Sequence, residues 1–413
     1  MFQDFQEKLN DLCRAGEDAV PALAEALLRM ARECGASDLH IECRRDGGLV
    51  RVRVDGILHP AGVIPPALML NIVTRMKVLA RAKTFDRRAP QDGRIELDEG
   101  DRPVFLRASF LPSLHGEKVA IRFPDPALAA LELEDLGLRR DDLAALLKIL
   151  ETRQGTLLLT GPVSSGKTTT IYSILKRLLA MNGEGISVAT IEDPIEAEIE
   201  GVSQTQADPV GGLGYAAGLR MLLRQDTDVF VVGEIRDEET AEMALRAGLI
   251  GHMVISTIHS PDTVGVFYRL INMGLEPFMI ATSVAAVIAQ RLLRKLCPEC
   301  RRERVLTDAE ALVLGAAEQR SVMQAIGCPS CRKTGYSGRT GVFELLSMND
   351  SLREALMRRE PAGSLRAMVW SGARPPLARH AAERVLAGET SVEEFSRTLP
   401  GLEGGGFDLK KET

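Results

Sequence analysis

GTLLLTGPVSSGKTTTIYSILKRLLA, residues 155–180, decides how this chain is built. An apolar run of strand length enters a loop of the form G-x4-G-K-[ST], Gly161 to Thr168, and helical spacing leaves it. Glycines at 161 and 166 let backbone N–H groups close around phosphate oxygens. Lys167 offers a cation to the β and γ oxygens, the Thr168 hydroxyl suits magnesium, and the next helix adds its positive N-terminus. The expected nucleotide contacts are Gly161, Pro162, Val163, Ser164, Ser165, Gly166, Lys167, Thr168 and Thr169. A glycine-rich turn with a chance Lys-Thr is the plainer reading, and the strand before it and helix after it argue against that.

Outward from the loop the pattern repeats. SVATIE, DVFVVGE and HMVISTI read as strands and DEETAEMALRAGL as a helix, an alternation that implies a mostly parallel sheet covered by helices. Two of these strands end in acid. Glu234 closes VFVVGE where hydrolysis needs a group to orient water, while Gly233 stands where many P-loop enzymes keep a magnesium-binding Asp. IEDPIE places Glu192, Asp193 and Glu196 at the same edge. Each cluster alone is as readily a solvated loop or helix cap; beside a phosphate loop they become candidates for the base. His252 and His259 flank MVISTI at opposite ends, which excludes a joint metal site and leaves one of them near a γ-phosphate. A lone histidine is otherwise a structural residue.

Before residue 150 the patterns differ. Residues 3–34 have helical spacing. SDLHIECRRDGGLVRVRVDGILH then reads as a meander, ALMLNIVTRMKVLARA as a helix, and GRIELDEG, RPVFLRASFL and EKVAIRF as further strands. The expected division is a helical segment 1–35, a small α+β domain 36–125, linker and helix 126–150, an ATPase core 151–290, a cysteine module 291–345, a helical subdomain 346–400 and a flexible tail 401–413. Residues 261–400 read as mainly helical around the cysteines. No internal repeat is present.

Composition narrows the field. With 51 Lys+Arg against 57 Asp+Glu and 4% aromatic residues, the composition gives little support for a phosphate-tracking or base-stacking surface for nucleic acid and leaves local basic patches open. MFQDFQEKLNDLCRAGEDAV does not resemble a signal peptide, and FMIATSVAAVIAQ is too short to span a bilayer, so a cytoplasmic protein is expected. Of seven cysteines, Cys13, Cys34 and Cys43 are scattered, and Cys297, Cys300, Cys328 and Cys331 form two C-x2-C pairs. Paired soft ligands at that spacing suit a closed tetrahedral zinc rather than four free thiols.

These blocks resemble, in order and over nearly the whole chain, the ATPases of type II secretion and type IV pilus assembly. GASDLHIE, PQDGRIEL, SFLPSLHGEKVAIR, GPVSSGKTTT, TIEDPIE, LRQDTDVFVVGEIRDEETAEMALRAGLIGHMVISTIHS and both cysteine pairs carry the resemblance. It implies an α/β fold in which a small N-terminal α+β domain precedes a RecA-like P-loop domain with a tetracysteine module and a helical C-terminal region. It places Glu192 in an Asp box, Glu234 at the end of Walker B, and His252 and His259 in a His box. Arg107 and Arg122 match arginines that reach the γ-phosphate; without the resemblance both would be exposed strand residues. ATP, Mg2+ and Zn2+ follow as cofactors, and a homohexamer at the inner membrane, with a platform protein and a docking protein, as the assembly. Many assembly members carry a further domain before the ASDLH block; 35 residues precede Ala36 here. Val163 and Ser164 stand where Thr-Gly is common, which still satisfies the loop pattern. Retraction motors generally lack the tetracysteine module, so the cysteines argue for assembly. A zinc-ribbon nucleic-acid protein is the reading from another class.

Overall fold

The computed structural model describes residues 2–98, 103–124, 130–208, 211–317, 319–370 and 376–400. The chain divides into two compact units, 1–126 and 127–413.

The first unit is an antiparallel sheet with helices over one face. Its strands are β1 (Asp38–Arg44), β2 (Gly47–Val54), β3 (Ile57–Ile64), β4 (Gln91–Asp98), β5 (Pro103–Ser113) and β6 (Gly116–Arg122), ordered β3-β2-β1-β6-β5-β4. Period-two alternation builds the core: Val50, Val52 and Val54, then Leu106, Ala108 and Phe110, point under the helices. Helices Phe2–Arg14 and Val20–Glu33 share that core through Leu9, Leu23 and Leu27, so the leading helical segment folds with the sheet. The opposite face carries charge in register. Arg94 faces Arg107, Arg107 faces Arg122, and Arg122 faces Asp38.

The second unit is built on seven strands: β7 (Gly155–Thr160), β8 (Val188–Glu192), β9 (Ser203–Gln206), β10 (Val229–Val232), β11 (Met253–Thr257), β12 (Val284–Leu296) and β15 (Tyr336–Ser347). The order is β15-β12-β7-β11-β10-β8-β9, parallel except for the antiparallel edge strand β15. Helices cover both faces, so neighbouring strand residues enter different cores. Phe230 and Val232 pack with helices Glu238–Leu249 and Thr263–Asn272, and Val229 and Val231 with helix Lys167–Asn182.

One expectation is corrected here. Residues 261–400 are not mainly helical around the cysteines, because the 13-residue β12 and the 12-residue β15 belong to the main sheet. VAAVIAQ shows no alternation because strand β12 is buried on both faces there, and such a run has no period to separate strand from helix. Past Ala289, its last partner on β7, β12 continues paired only with β15 as a two-stranded ribbon. Between the ribbon's ends lie β13 (Arg302–Val305), helix Asp308–Leu314 and β14 (Ser321–Gln324). The expected tail, 401–413, lies outside the described residues.

Candidate functional site

The parallel strands β7, β8, β10 and β11 deliver their C-terminal ends to one edge of the sheet, the usual place for a ligand in such a fold. The phosphate loop leaves β7 there. Gly161 and Gly166 have φ of 154° and 89°, and helix Lys167–Asn182 starts on the lysine itself. Lys167 Nζ donates to the carbonyls of Gly161 at 2.9 Å and Pro162 at 3.0 Å, which holds the ammonium across the loop's mouth. Burial lowers its pKa, against the pull of Glu234, and Arg291 adds a like charge nearby. Thr160 locks the loop's base by donating to the Ser260 carbonyl at 2.8 Å and accepting from Ser260 N–H at 2.9 Å.

The two acidic candidates sit in unlike surroundings. Glu192 is 6% exposed and accepts three hydrogen bonds: from Tyr172 Oη at 2.6 Å, Thr190 Oγ1 at 2.6 Å and Gln204 Nε2 at 3.1 Å. Burial and the carboxylate raise the Tyr172 pKa, keeping that phenol a donor. Glu234 is instead at the rim, ion-paired with Arg236 and 3.7 Å from His259 Nε2. Its strand end is fixed by Ser256, whose hydroxyl donates to Val232 O at 2.6 Å, and Thr257, which donates to Gly233 O at 2.9 Å. Tyr215 explains the glycine at 233. A Cβ there would lie 2.9 Å from its hydroxyl, whose pKa burial, Glu234 and Asp193 push up to about 12.

The histidines part company. His259 joins Glu234 at the phosphate edge. His252 stands at the other end of β11, where its carbonyl accepts from Gly155 N–H and its ring packs edge-on to Phe230 at 5.0 Å. Of the two, His252 is not brought to the phosphate loop. Arg107 and Arg122 are register partners on β5 and β6 of the first unit, both exposed.

The four paired cysteines converge. Their sulfurs all lie within 4.8 Å of one another, with Cys297–Cys328 at 3.8 Å and Cys300–Cys331 and Cys328–Cys331 at 3.7 Å. Sulfurs about 2.3 Å from one zinc stand about 3.8 Å apart at the corners of a tetrahedron, so the donor set fits that ion. Backbone N–H groups of Gly327, Cys328 and Gly335 point at the sulfurs of Cys300 and Cys331, as thiolate ligands require.

Sequence reading missed the residues that hold the site from behind. Tyr172 lies within the helix that leaves the loop, among apolar neighbours. Gln290 lay in a stretch with no legible period. Only their polarity inside apolar surroundings could have marked them.

Comparison with known proteins agrees with this geometry. The family model described as "Type II/IV secretion system protein" matches residues 14–397. The type II secretion system protein E of Aeromonas hydrophila is 40% identical over 390 residues, 94% of this chain and 77% of its own length. The type IV pilus assembly ATPase TfpB of Acinetobacter baylyi is 37% identical, over 94% of this chain and 66% of its own. In fold, the X-ray structure of the Legionella pneumophila ATPase DotB superposes with a TM-score of 0.67 at 19% identity, covering 91% of this chain and 95% of that one. Match length and identity together show that the chain belongs to the type II/IV secretion system protein family.

Proposed function

We propose that this ATPase is the motor that powers assembly of a type IV pilus or a type II secretion pseudopilus, working as a homohexamer on the cytoplasmic side of the inner membrane. The observation that carries the reading is the pairing, in one chain, of a phosphate loop flanked by a rim carboxylate with a closed tetracysteine set. The loop from Gly161 to Thr169 cradles the phosphates and Lys167 turns from its own carbonyls to the β and γ oxygens. Magnesium, on Thr168 and water, supplies charge neutralisation to the phosphates when bound. Glu234 is the better-placed base: it stands at the rim, whereas both oxygens of Glu192 are engaged inside the protein. Glu192 orders the second acidic strand end, and His259 responds to the state of the nucleotide through Glu234. Arg107 and Arg122 supply positive charge to the transferring phosphate.

Zinc on Cys297, Cys300, Cys328 and Cys331 fixes the excursion that meets the membrane platform protein; docking to a second membrane-associated protein completes the assembly. The module favours assembly over retraction. No helix among the described residues is long and apolar enough to cross a membrane. The test is ATPase activity with and without the purified platform protein, beside Lys167→Ala. Turnover should rise with the platform and fall at least about a hundredfold in the variant without loss of thermal stability. Normal hydrolysis by Lys167→Ala would sink the phosphate-loop assignment, and indifference to the platform would sink the motor.

A further inference from the structure

The phosphate loop is held by more than its own hydrogen bonds. It rests on β12, and Gln290 makes the contact. This side chain is 1% exposed, and its Nε2 donates to the Ser165 carbonyl at 2.8 Å. Both loop glycines are shaped to it. A Cβ on Gly161 would fall 2.6 Å from the Gln290 backbone oxygen, and one on Gly166 would fall 3.2 Å from its Nε2 and 3.5 Å from Leu292. Two polar atoms here are buried without a hydrogen-bond partner among the described residues, Gln290 Oε1 and Ser165 Oγ. A buried amide half satisfied and a buried hydroxyl unsatisfied cost stability unless a rearrangement of the loop completes them.

We propose that Gln290 is a positioning residue of the nucleotide site: its side-chain amide sets the direction of the Ser165–Gly166 peptide and so preforms the phosphate-binding loop. The reason is geometric. A trans peptide is planar, with C=O and N–H pointing opposite ways, so a carbonyl turned down to Gln290 turns the Gly166 N–H up to the phosphates. Released, the peptide could rotate and present an oxygen to an anion. The partnerless Oε1 and Ser165 Oγ are then the pair available to each other when the loop tightens on nucleotide. The inference rests on the phosphate-loop reading and adds that its affinity is set from a different strand.

Gln290→Leu removes both hydrogen-bonding ends at similar volume, and Gln290→Glu keeps the size and acceptors but removes the donor to Ser165. Both should raise the Kd for ATP about tenfold, with kcat changed by less than about threefold and zinc content unchanged, alongside a fall in the thermal midpoint because the buried Ser165 carbonyl loses its donor. A purely structural residue would lower the midpoint without that split between affinity and turnover. Should the leucine variant fail to fold, the glutamate variant alone decides. ATP affinity within twofold of wild type in a folded variant, or loss of kcat at unchanged Kd, would overturn the inference. Lys167→Ala separates the two failures: if it loses ATP binding while the Gln290 variants keep it, only this inference falls, and if it too binds normally, the phosphate site is misplaced.

Discussion

The phosphate loop rests on β12, the tetracysteine module lies beyond the end of the same strand, and the two are organised in opposite senses. At the loop, the reactive groups face outward: the His259 side chain is 58% exposed and Glu234 19%, while their supports, Gln290, Glu192 and Tyr172, are buried. At the module the four sulfurs converge on one another, with Cys297 and Cys331 buried and Cys300 and Cys328 half-buried. A site that must admit and release a ligand keeps its chemistry at the rim and its scaffold inside. A site that only has to hold closes on itself.

The largest expected effect tests the outward-facing half. Glu234→Gln keeps the shape of the rim and its neighbours, and an amide cannot take a proton from water, so ATP should still bind while turnover falls about a hundredfold or more. Glu192→Gln should behave differently. It brings an NH2 group to a cage whose three partners all donate, which costs about 1–3 kcal/mol of stability, with a smaller loss of turnover. Paired ATPase assays and thermal melts measure both. If only the Glu192 variant is inactive, the base is the buried carboxylate and the contrast between rim and scaffold reverses.

The intermediate effect tests the closed half. Replacing Cys297 and Cys300 by serine should abolish zinc in metal analysis and stop filament assembly or secretion in cells, with ATP affinity kept within about twofold. The ribbon explains the separation. Between Gln290 and Cys297, Arg294 is clamped by its guanidinium and backbone N–H to the fully buried Glu394 at 2.7–3.0 Å and lies 3.9 Å over the Tyr336 ring. Disorder released at the cysteines therefore stops before the phosphate loop. Wild type without zinc, or full assembly by the serine variant, defeats the closed-site reading.

The same contrast separates what was legible in the sequence from what was not. Groups at the site's surface follow a pattern: Lys167 and Thr168 are fixed by loop spacing, Glu192 and Glu234 by strand ends, and the cysteines by their pairs. Supports follow none. Gln290 and Tyr172 act through contacts with residues 125 and 20 positions away, a relation that appears only once the strand order is known. Strand β12 hid for a physical reason as well, since a strand buried on both faces has lost the alternation that names a strand. Strands β2 and β5 of the first unit, with one face in the core and the other turned away from it, kept theirs.

The smallest effect concerns how far the closed half relies on anything besides its sulfurs. Helix Asp308–Leu314 inside the excursion starts on a capping box, in which Thr307 Oγ1 accepts from Glu310 N–H and the Glu310 carboxylate accepts from Thr307 N–H at 2.9 Å. Arg304 grips the same carboxylate with two bonds of 2.7 Å. That grip, with the cap, holds the Glu310 pKa at about 2, below its ordinary 4.5. A depressed carboxylate stabilises the fold in full above the ordinary value and loses its contribution as pH falls from about 4.5 through about 2. Both partners are partly exposed, so solvent screening keeps the worth of the group small, about 1 kcal/mol. Glu310→Gln should accordingly speed hydrogen exchange across Asp308–Leu314 severalfold at pH 7, with the same gap at pH 5 and a closing gap below about 4.5. Acid also strips zinc from thiolates, but it does so in both chains, so the difference between them isolates the carboxylate. Equal exchange at pH 7, or a gap that widens on acidification, would mean that the cysteines alone hold the module and that the cap adds nothing to it.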